Sequence, residues 1–265
     1  MVAAMYAVLA FGLGASIGSF LNVVADRFPN GRSIVSPGSF CESCQRHLAA
    51  VDMVPVLSYL WLRGRCRYCS AKIPGRLAVV EAVNGGLLAL LYWRYGLGGE
   101  LFVYGAAFSL LVVITIIDFD HGLIFDRMVF PAAGLLLVLS PFWNQIGAER
   151  EFFGTIGLLG SFASSTVAGA SYFVFLYLIV LVYPQGMGAG DVKFAALIGL
   201  LMGIPLVFVA FWVTVVSGGL VATFLLAVRR KGRKEAIPYG PFMALGAVVA
   251  ILAGTEIWDW YLGFG

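Results

Sequence analysis

Two aspartates lie where long apolar runs of the sequence meet short polar segments. Asp118 lies in the segment 116–121 (IIDFDH), and Asp191 lies in the segment 186–193 (GMGAGDVK). A carboxylate at the centre of a bilayer costs roughly 2.5–3.5 kcal/mol on insertion scales, so an acid at membrane depth is a functional candidate. The glycines before Asp191 allow the backbone to come close to a neighbouring helix or to an extended substrate.

The two aspartates could act as a pair. Two carboxyl groups that share a low-dielectric site cannot both ionise easily, so one keeps its proton while the other loses it. The ionised member can take a proton from water, and the protonated member can donate to a peptide carbonyl oxygen. A perturbed acid pair also suits a cation transporter. The third interpretation is structural: acids in this region cap helices and pair with Arg127 and Lys193 near the headgroups.

All four cysteines lie in one polar segment, as two CxxC pairs with 21 residues between them: Cys41, Cys44, Cys66 and Cys69. Two such pairs allow four thiolates to converge on one zinc ion. Four thiolates leave no open position for water or substrate, so the sequence predicts a structural zinc site. Disulfides are the alternative, and a reducing cytoplasm disfavours them. His47 could replace one of the cysteines as a ligand.

The composition indicates that transmembrane helices position the aspartates and cysteines. The chain has 265 residues, of which 61% are hydrophobic and 12% are charged, whereas soluble domains average about 45–50% and 25%. These values, with a net charge of only +3, exclude a secreted disulfide scaffold, a disordered tail and a nucleic-acid binder. The sequence predicts an all-α polytopic membrane protein with about eight transmembrane helices, approximately at 3–25, 78–95, 101–117, 123–142, 154–183, 194–209, 211–228 and 241–258.

The long polar segment 26–77 indicates the orientation. It holds eight Lys/Arg against three acids, so the positive-inside rule places it in the cytoplasm and the N-terminus outside. Threading the later helices from there places fifteen of the seventeen basic residues inside, including the cluster 229–234, and leaves only Arg94 and Arg150 outside. The predicted organisation is a first transmembrane helix (1–25), a cytoplasmic tetracysteine zinc loop (26–77) and a seven-helix core (78–265).

Several motifs together resemble a known family. The turn before Asp191 resembles the GxGD signature of intramembrane aspartyl proteases. The segments 18–24 (GSFLNVV), 117–121 (IDFDH) and 237–242 (IPYGPF), with the twin CxxC pairs, resemble the bacterial type IV prepilin peptidases, also called leader peptidase/N-methyltransferases. The resemblance covers nearly the whole chain in the same order. One departure is Phe125, since the family usually has proline just before the aspartate that corresponds to Asp126.

The resemblance implies a function and a site. Asp118 and Asp191 match the family's two catalytic aspartates. The family removes the short basic leader of prepilins and pseudopilins at the cytoplasmic face of the inner (cytoplasmic) membrane. It then methylates the new N-terminal residue with S-adenosylmethionine. The substrate implied is therefore a prepilin or pseudopilin, the cofactors are structural zinc and S-adenosylmethionine, and the partners are the substrate and the lipid bilayer, with no nucleic acid.

Some questions stay open at the level of sequence. The chain has no glycine-rich nucleotide loop after a strand, so no residue is assigned to the methyl donor. Glu81 could face a cavity or a cofactor amine, or it could pair with Arg76. Asp126 is expected to form an ordinary headgroup-level ion pair, and Asp120 has no assigned role. A transporter that uses the acid pair, and a non-catalytic scaffold with a zinc-stapled docking loop, remain the alternative functions.

Overall fold

The computed structural model describes residues 2–184, 186–228 and 237–263, and within these ranges it is helical, with isolated β-bridges and no named strand. The basic cluster 229–234 lies outside the described residues. Two short 3₁₀ turns lie at Ala50–Met53 and Ser140–Phe142. The α-helices are α1 (Val2–Arg27), α2 (Leu57–Trp61), α3 (Gly75–Tyr95), α4 (Gly99–His121), α5 (Asp126–Leu139), α6 (Trp143–Ile146), α7 (Leu158–Val182), α8 (Ala189–Met202), α9 (Leu206–Ala227) and α10 (Gly240–Leu262).

The prediction of an all-α polytopic membrane protein is confirmed. Seven helical segments of the described chain are long and apolar enough to cross a bilayer. They are Val2–Arg27, Gly75–Tyr95, Gly99–His121, Asp126–Ile146, Leu158–Val182, Leu206–Ala227 and Gly240–Leu262.

The sixth predicted segment, 194–209, differs from the structure. Its helix, α8, has 14 residues and is therefore about 21 Å long at 1.5 Å per residue, shorter than a hydrocarbon core of about 30 Å. Gly203 ends α8 with a φ of +69°, and α9 begins directly after Pro205. Glycine and proline both interrupt helices. The predicted segment runs through them because a hydropathy average does not detect a turn inside an apolar run.

Packing contacts divide the chain into two compact units, Met1–Val113 and Ile114–Gly265. In the first unit α1 packs along α3 through small residues. A Cβ atom added to Gly14 would lie 2.9 Å from the Cα of Gly85, and one added to Gly18 would lie 2.8 Å from the Cα of Glu81. Such approaches are typical of helix pairs in membranes. Asn84, fully buried, donates from Nδ2 to the Gly14 carbonyl oxygen at 2.7 Å.

In the second unit α8 packs against α5, α7, α9 and α10. A Cβ atom added to Gly199 of α8 would lie 2.6 Å from the Cα of Gly169 on α7, so these two backbones are in direct contact. Phe194 and Ile198 on α8 are fully buried. Most residues of α8 from Asp191 to Met202 are buried, which fixes the direction in which its N-terminus points.

A buried arginine caps the carboxyl end of α8. Arg150 is 6% exposed. Its Nη1 donates to Ser165 Oγ at 2.7 Å and to the Leu200 carbonyl oxygen at 3.3 Å, and its Nη2 donates to the Leu201 carbonyl oxygen. Its guanidinium lies 3.9 Å from the centroid of the Trp143 ring. A cation at a helix C-terminus interacts favourably with the free carbonyl groups and the dipole.

We expect Arg150→Met to destabilise the protein by about 2 kcal/mol or more, because the carbonyl groups at the end of α8 lose charged donors while staying buried. In a protein of this size that corresponds to a fall in Tm of several degrees in detergent, measured by scanning fluorimetry. Arg94→Met, at an exposed position, is the matched control and should leave Tm nearly unchanged. Equal Tm values for wild type and Arg150→Met would contradict this role.

Candidate functional site

The two CxxC pairs form two turns of the same construction. After each pair the chain adopts a positive φ, 57° at Gln45 and 59° at Ser70. The amide of Gln45 donates to the Cys41 carbonyl oxygen at 2.7 Å, and the amide of Ser70 donates to the Cys66 carbonyl oxygen at 3.0 Å. An antiparallel bridge closes each turn, Phe40 with His47 and Arg65 with Lys72. Each turn therefore presents two sulfur atoms to the same side.

The structure brings the four sulfur atoms together. The Sγ atoms of Cys41, Cys44, Cys66 and Cys69 all lie within 4.8 Å of one another, and Cys41 Sγ lies 3.8 Å from Cys69 Sγ. Tetrahedral zinc with Zn–S bonds of about 2.3 Å requires S–S distances of about 3.8 Å. Hydrogen bonds from the backbone amides of Cys44 and Ser43 lower the pKa of the Cys41 thiol to about 6, which favours its thiolate form. The hydrogen bond from the Ala71 backbone alone would lower the pKa of the Cys69 thiol, but burial and hydrogen bonds with the other three cysteines outweigh it and raise that pKa to about 12. The tetracysteine cluster could therefore hold zinc.

Asp52 joins the second CxxC turn to the preceding 3₁₀ turn. Its side chain is 3% exposed and accepts from Arg67 Nε at 2.5 Å, from the Tyr68 hydroxyl at 3.0 Å and from the Ala49 amide at 3.3 Å. Desolvation alone would raise the pKa of Asp52, but these hydrogen bonds outweigh it and lower the pKa below its ordinary value. Asp52 is thus an ionised structural anchor of the loop.

Glu81 also supports the loop. Its Oε2 accepts the backbone amide of Val56 at 2.7 Å, and Val56 has a φ of 61°, which is strained for a β-branched residue. Arg76 pairs with Asp26. Glu81 therefore contacts the strained backbone of Val56, just before α2.

Asp118 lies near the carboxyl end of α4 and is 4% exposed. Its Oδ2 accepts the backbone amide of Gly240, the first residue of α10, at 3.0 Å. A Cβ atom added to Gly240 would lie 2.6 Å from the same oxygen. Residue 240 must therefore be glycine for α10 to begin this close to the carboxylate.

Asp191 lies in the first turn of α8 and is 9% exposed. Its Oδ2 accepts the backbone amide of Gly188 at 3.0 Å. A Cβ atom added to Gly190 would lie 3.0 Å from the Cβ of Ile124, so the loop that follows α4 packs against the glycine turn. Asp118 and Asp191 are close enough to interact electrostatically. The structure thus brings together the two aspartates that the sequence singled out.

Tyr239 and Gly240 are site residues that reasoning from the individual residues missed. Burial and the charge on Asp191 raise the pKa of Tyr239 to about 12, so its phenol stays protonated beside the acid pair. Both residues lie in the segment 237–242, which is one of the motifs of the family resemblance. That motif did not indicate a contact with either aspartate. A hydrogen bond from a backbone amide to a carboxylate does not depend on the type of the donating residue, so the sequence does not reveal it.

The other acids near this region are on the surface. Asp126 accepts from Lys193 Nζ at 2.8 Å through both carboxylate oxygens, and both side chains are substantially exposed. Exposed ion pairs of this kind contribute about 0–1 kcal/mol. The prediction of an ordinary ion pair for Asp126 is confirmed. Asp120 is exposed.

Comparisons with known proteins agree with the motifs. Residues 13–95 match the Bacterial Peptidase A24 N-terminal domain, and residues 105–223 match the Type IV leader peptidase family. The prepilin leader peptidase/N-methyltransferase of Bacillus subtilis (strain 168) is 30% identical over 252 residues, 95% of this chain and 96% of that protein. The protein of the same name from Pseudomonas putida is 32% identical over 282 residues, 97% of this chain and 94% of that protein. No solved structure gives a significant match.

We expect the purified wild-type protein to carry one zinc ion per chain and Cys44→Ser to lose most of it, because one of four thiolate ligands is removed. Metal content is measured by inductively coupled plasma mass spectrometry. Ser43→Ala, which changes the neighbouring side chain and no ligand, is the control and should keep its zinc. Full zinc occupancy in Cys44→Ser would show that the four cysteines do not act as one site.

Proposed function

Because the chain belongs to the type IV leader peptidase family, we propose that it cleaves the basic leader from type IV prepilins or pseudopilins by a two-aspartate mechanism. The observation that carries this proposal is the burial of Asp118 and Asp191 in one unit, close enough for their charges to interact. Asp126, by contrast, is exposed and neutralised by Lys193. Buried carboxyl groups are expensive, and they mark chemistry more often than stability.

The pair divides the chemistry between its two members. Two carboxyl groups in a low-dielectric site share one negative charge, and they titrate as a unit. The ionised carboxylate takes a proton from water, whose oxygen bonds to the scissile carbonyl carbon, while the protonated member donates its proton to the carbonyl oxygen. When the C–N bond breaks, the leaving nitrogen takes a proton from the protonated carboxyl group, and a hydroxyl group of the tetrahedral intermediate gives its proton to the other carboxylate. The pair is then singly protonated again.

The backbone amides of Gly240 and Gly188 hold the two carboxylates in position. Each donates one hydrogen bond of 3.0 Å to an Oδ2 atom. The other oxygen of each carboxylate then provides the acceptor or donor for water and substrate. Main-chain donors keep their place during the reaction, which is what preorganised catalysis requires.

The proposed location of the reaction is the cytoplasmic side of the inner (cytoplasmic) membrane. Support comes from the charge distribution, since the segment 26–77 alone holds eight basic residues, and basic loops stay on the cytoplasmic side. With the N-terminus outside, alternation of the long helices places the end of α4 and the start of α8 on the inside. The proposed organisation is a first helix (1–25), a zinc-stapled cytoplasmic loop (26–77) and a catalytic core (78–265).

The second proposed activity is N-methylation of the newly exposed amino terminus. Relatives carry N-methyltransferase in their names, and S-adenosylmethionine is the proposed donor, which supplies an electrophilic methyl group when bound. In the proposed role for zinc, Cys41, Cys44, Cys66 and Cys69 hold the ion and fix the fold of the loop. Four thiolate ligands leave the ion no site for catalysis.

We expect Asp118→Asn and Asp191→Asn each to reduce prepilin cleavage by roughly a thousandfold or more, because an amide can neither accept the proton from water nor supply one to the carbonyl. Cleavage is followed in membranes or detergent by mass spectrometry of the product. With S-adenosylmethionine present, the wild-type product should carry one additional methyl group.

Asp259→Asn, at an exposed position near the far end of α10, is the matched control and should cleave at the wild-type rate. Comparable expression and Tm of all four proteins ensure that activity and not folding is compared. Normal cleavage by either Asp118→Asn or Asp191→Asn would rule out the two-aspartate mechanism.

We expect Gly240→Ala to lower the cleavage rate by up to about a hundredfold, since the added methyl group displaces the Asp118 carboxylate or the start of α10. The measurement is kcat for prepilin cleavage. Gly219→Ala is the matched control, because a Cβ atom added to Gly219 meets nothing within 4 Å. Wild-type kcat in Gly240→Ala would contradict the proposed positioning of Asp118.

A further inference from the structure

A cavity of about 490 Å³ lies beside the second CxxC turn, within the first unit. Three basic side chains line it, together with Tyr59 and the start of α3: Arg63, Arg65, Lys72, Gly64, Ile73, Pro74 and Gly75. The Tyr59 hydroxyl lies next to Gly64 and Gly75, as added Cβ atoms there would meet it at 2.9 Å and 3.4 Å. The cavity is thus built by α2, the second CxxC turn and the first residue of a membrane-spanning helix.

The three cations have no acidic partner in the described part of the chain, and two acids of the segment 26–77, Asp52 and Asp26, pair instead with Arg67 and Arg76. Arg65 and Lys72 are also directly opposite each other in an antiparallel bridge. Like charges opposed in this way repel each other. The local charge is therefore uncompensated by protein groups.

The zinc-binding turn itself does not require this charge. The first CxxC turn has the same hydrogen bonds and the same bridge, but Phe40 and His47 occupy the positions that correspond to Arg65 and Lys72. Asp52 compensates Arg67, which belongs to the same turn, but the cations that line the cavity are left unpaired. Their arrangement suits an anion that enters the cavity from outside the protein.

The surroundings indicate which anion. Gly75 begins the candidate span Gly75–Tyr95, so the cavity lies at the depth of the lipid headgroups. Next to Tyr59, the α2 side chains of Leu57, Leu60 and Trp61 are 64%, 64% and 86% exposed. Tryptophan and exposed leucine at this depth are typical of contact with the bilayer. An amphipathic anion can pair with the cations and also cover this apolar surface, whereas a soluble anion can only pair with the cations.

We propose that this cavity binds the phosphate group of an anionic phospholipid. Arg63, Arg65 and Lys72 donate to the phosphate oxygens, as arginine and lysine commonly do at phosphate sites. The acyl chains extend past Leu60 and Trp61 into the bilayer. A bound lipid of this kind ties the zinc loop to the membrane surface at the start of α3.

The test is native mass spectrometry of the full-length protein, titrated with phosphatidylglycerol and, separately, with phosphatidylcholine. Each basic side chain near an anionic surface is worth about a fivefold change in affinity, so Arg65→Gln/Lys72→Gln should bind phosphatidylglycerol roughly twenty-five-fold more weakly. The single variant Arg63→Gln, which perturbs the bridge less, should bind about fivefold more weakly. Phosphatidylcholine binding should be weak in all variants.

The matched control is Arg32→Gln/Arg127→Gln, which removes the same charge from two exposed positions outside the cavity. It should bind phosphatidylglycerol like wild type, and unchanged zinc content in every variant shows that the loop is intact. Wild-type lipid affinity in both cavity variants, or an equal loss in the control, would overturn the proposal. Displacement of phosphatidylglycerol by millimolar inorganic phosphate would also overturn it, in favour of a soluble phosphate ligand.

Discussion

Burial of two carboxyl groups at the ends of α4 and α8 is the constraint on which the second unit depends. A buried carboxylate is costly unless hydrogen bonds replace its water. Asp118 and Asp191 each receive such a bond from a glycine amide, Gly240 for the first and Gly188 for the second. These donors determine where α10 begins and how the turn before α8 is shaped. The short helix α8, packed against α5, α7, α9 and α10, then keeps the two acids together.

The first unit depends on different interactions. Gly14 and Gly18 bring α1 into backbone contact with α3, and the polar segment between these helices is organised by its CxxC turns. Asp52 and Glu81 add hydrogen bonds to that segment, and the one to Glu81 is half-buried. A loop of this length without strands or a large apolar core gains its shape from such a cluster and from metal binding.

Features that follow from local spacing were predictable from the sequence. The CxxC spacing indicated a four-sulfur cluster, and long apolar runs indicated the helices, because each depends only on neighbouring residues. The end of α8 at Met202 was not predicted, since Gly203 and Pro205 lie inside an apolar run. Nor was the bond from Gly240 to Asp118 predicted, because almost every residue carries a backbone amide. Close approaches of this kind appear only when distant helices have packed.

The claim that the two aspartates form one catalytic unit is tested most directly by a double-mutant cycle. Prepilin cleavage rates are measured for wild type, Asp118→Asn, Asp191→Asn and the double variant, with product counted by mass spectrometry. Groups that act as one unit lose their joint contribution when either is removed. The account predicts that the double variant is no slower than the slower single variant. Losses that multiply in the double variant would show two independent contributions and contradict the account.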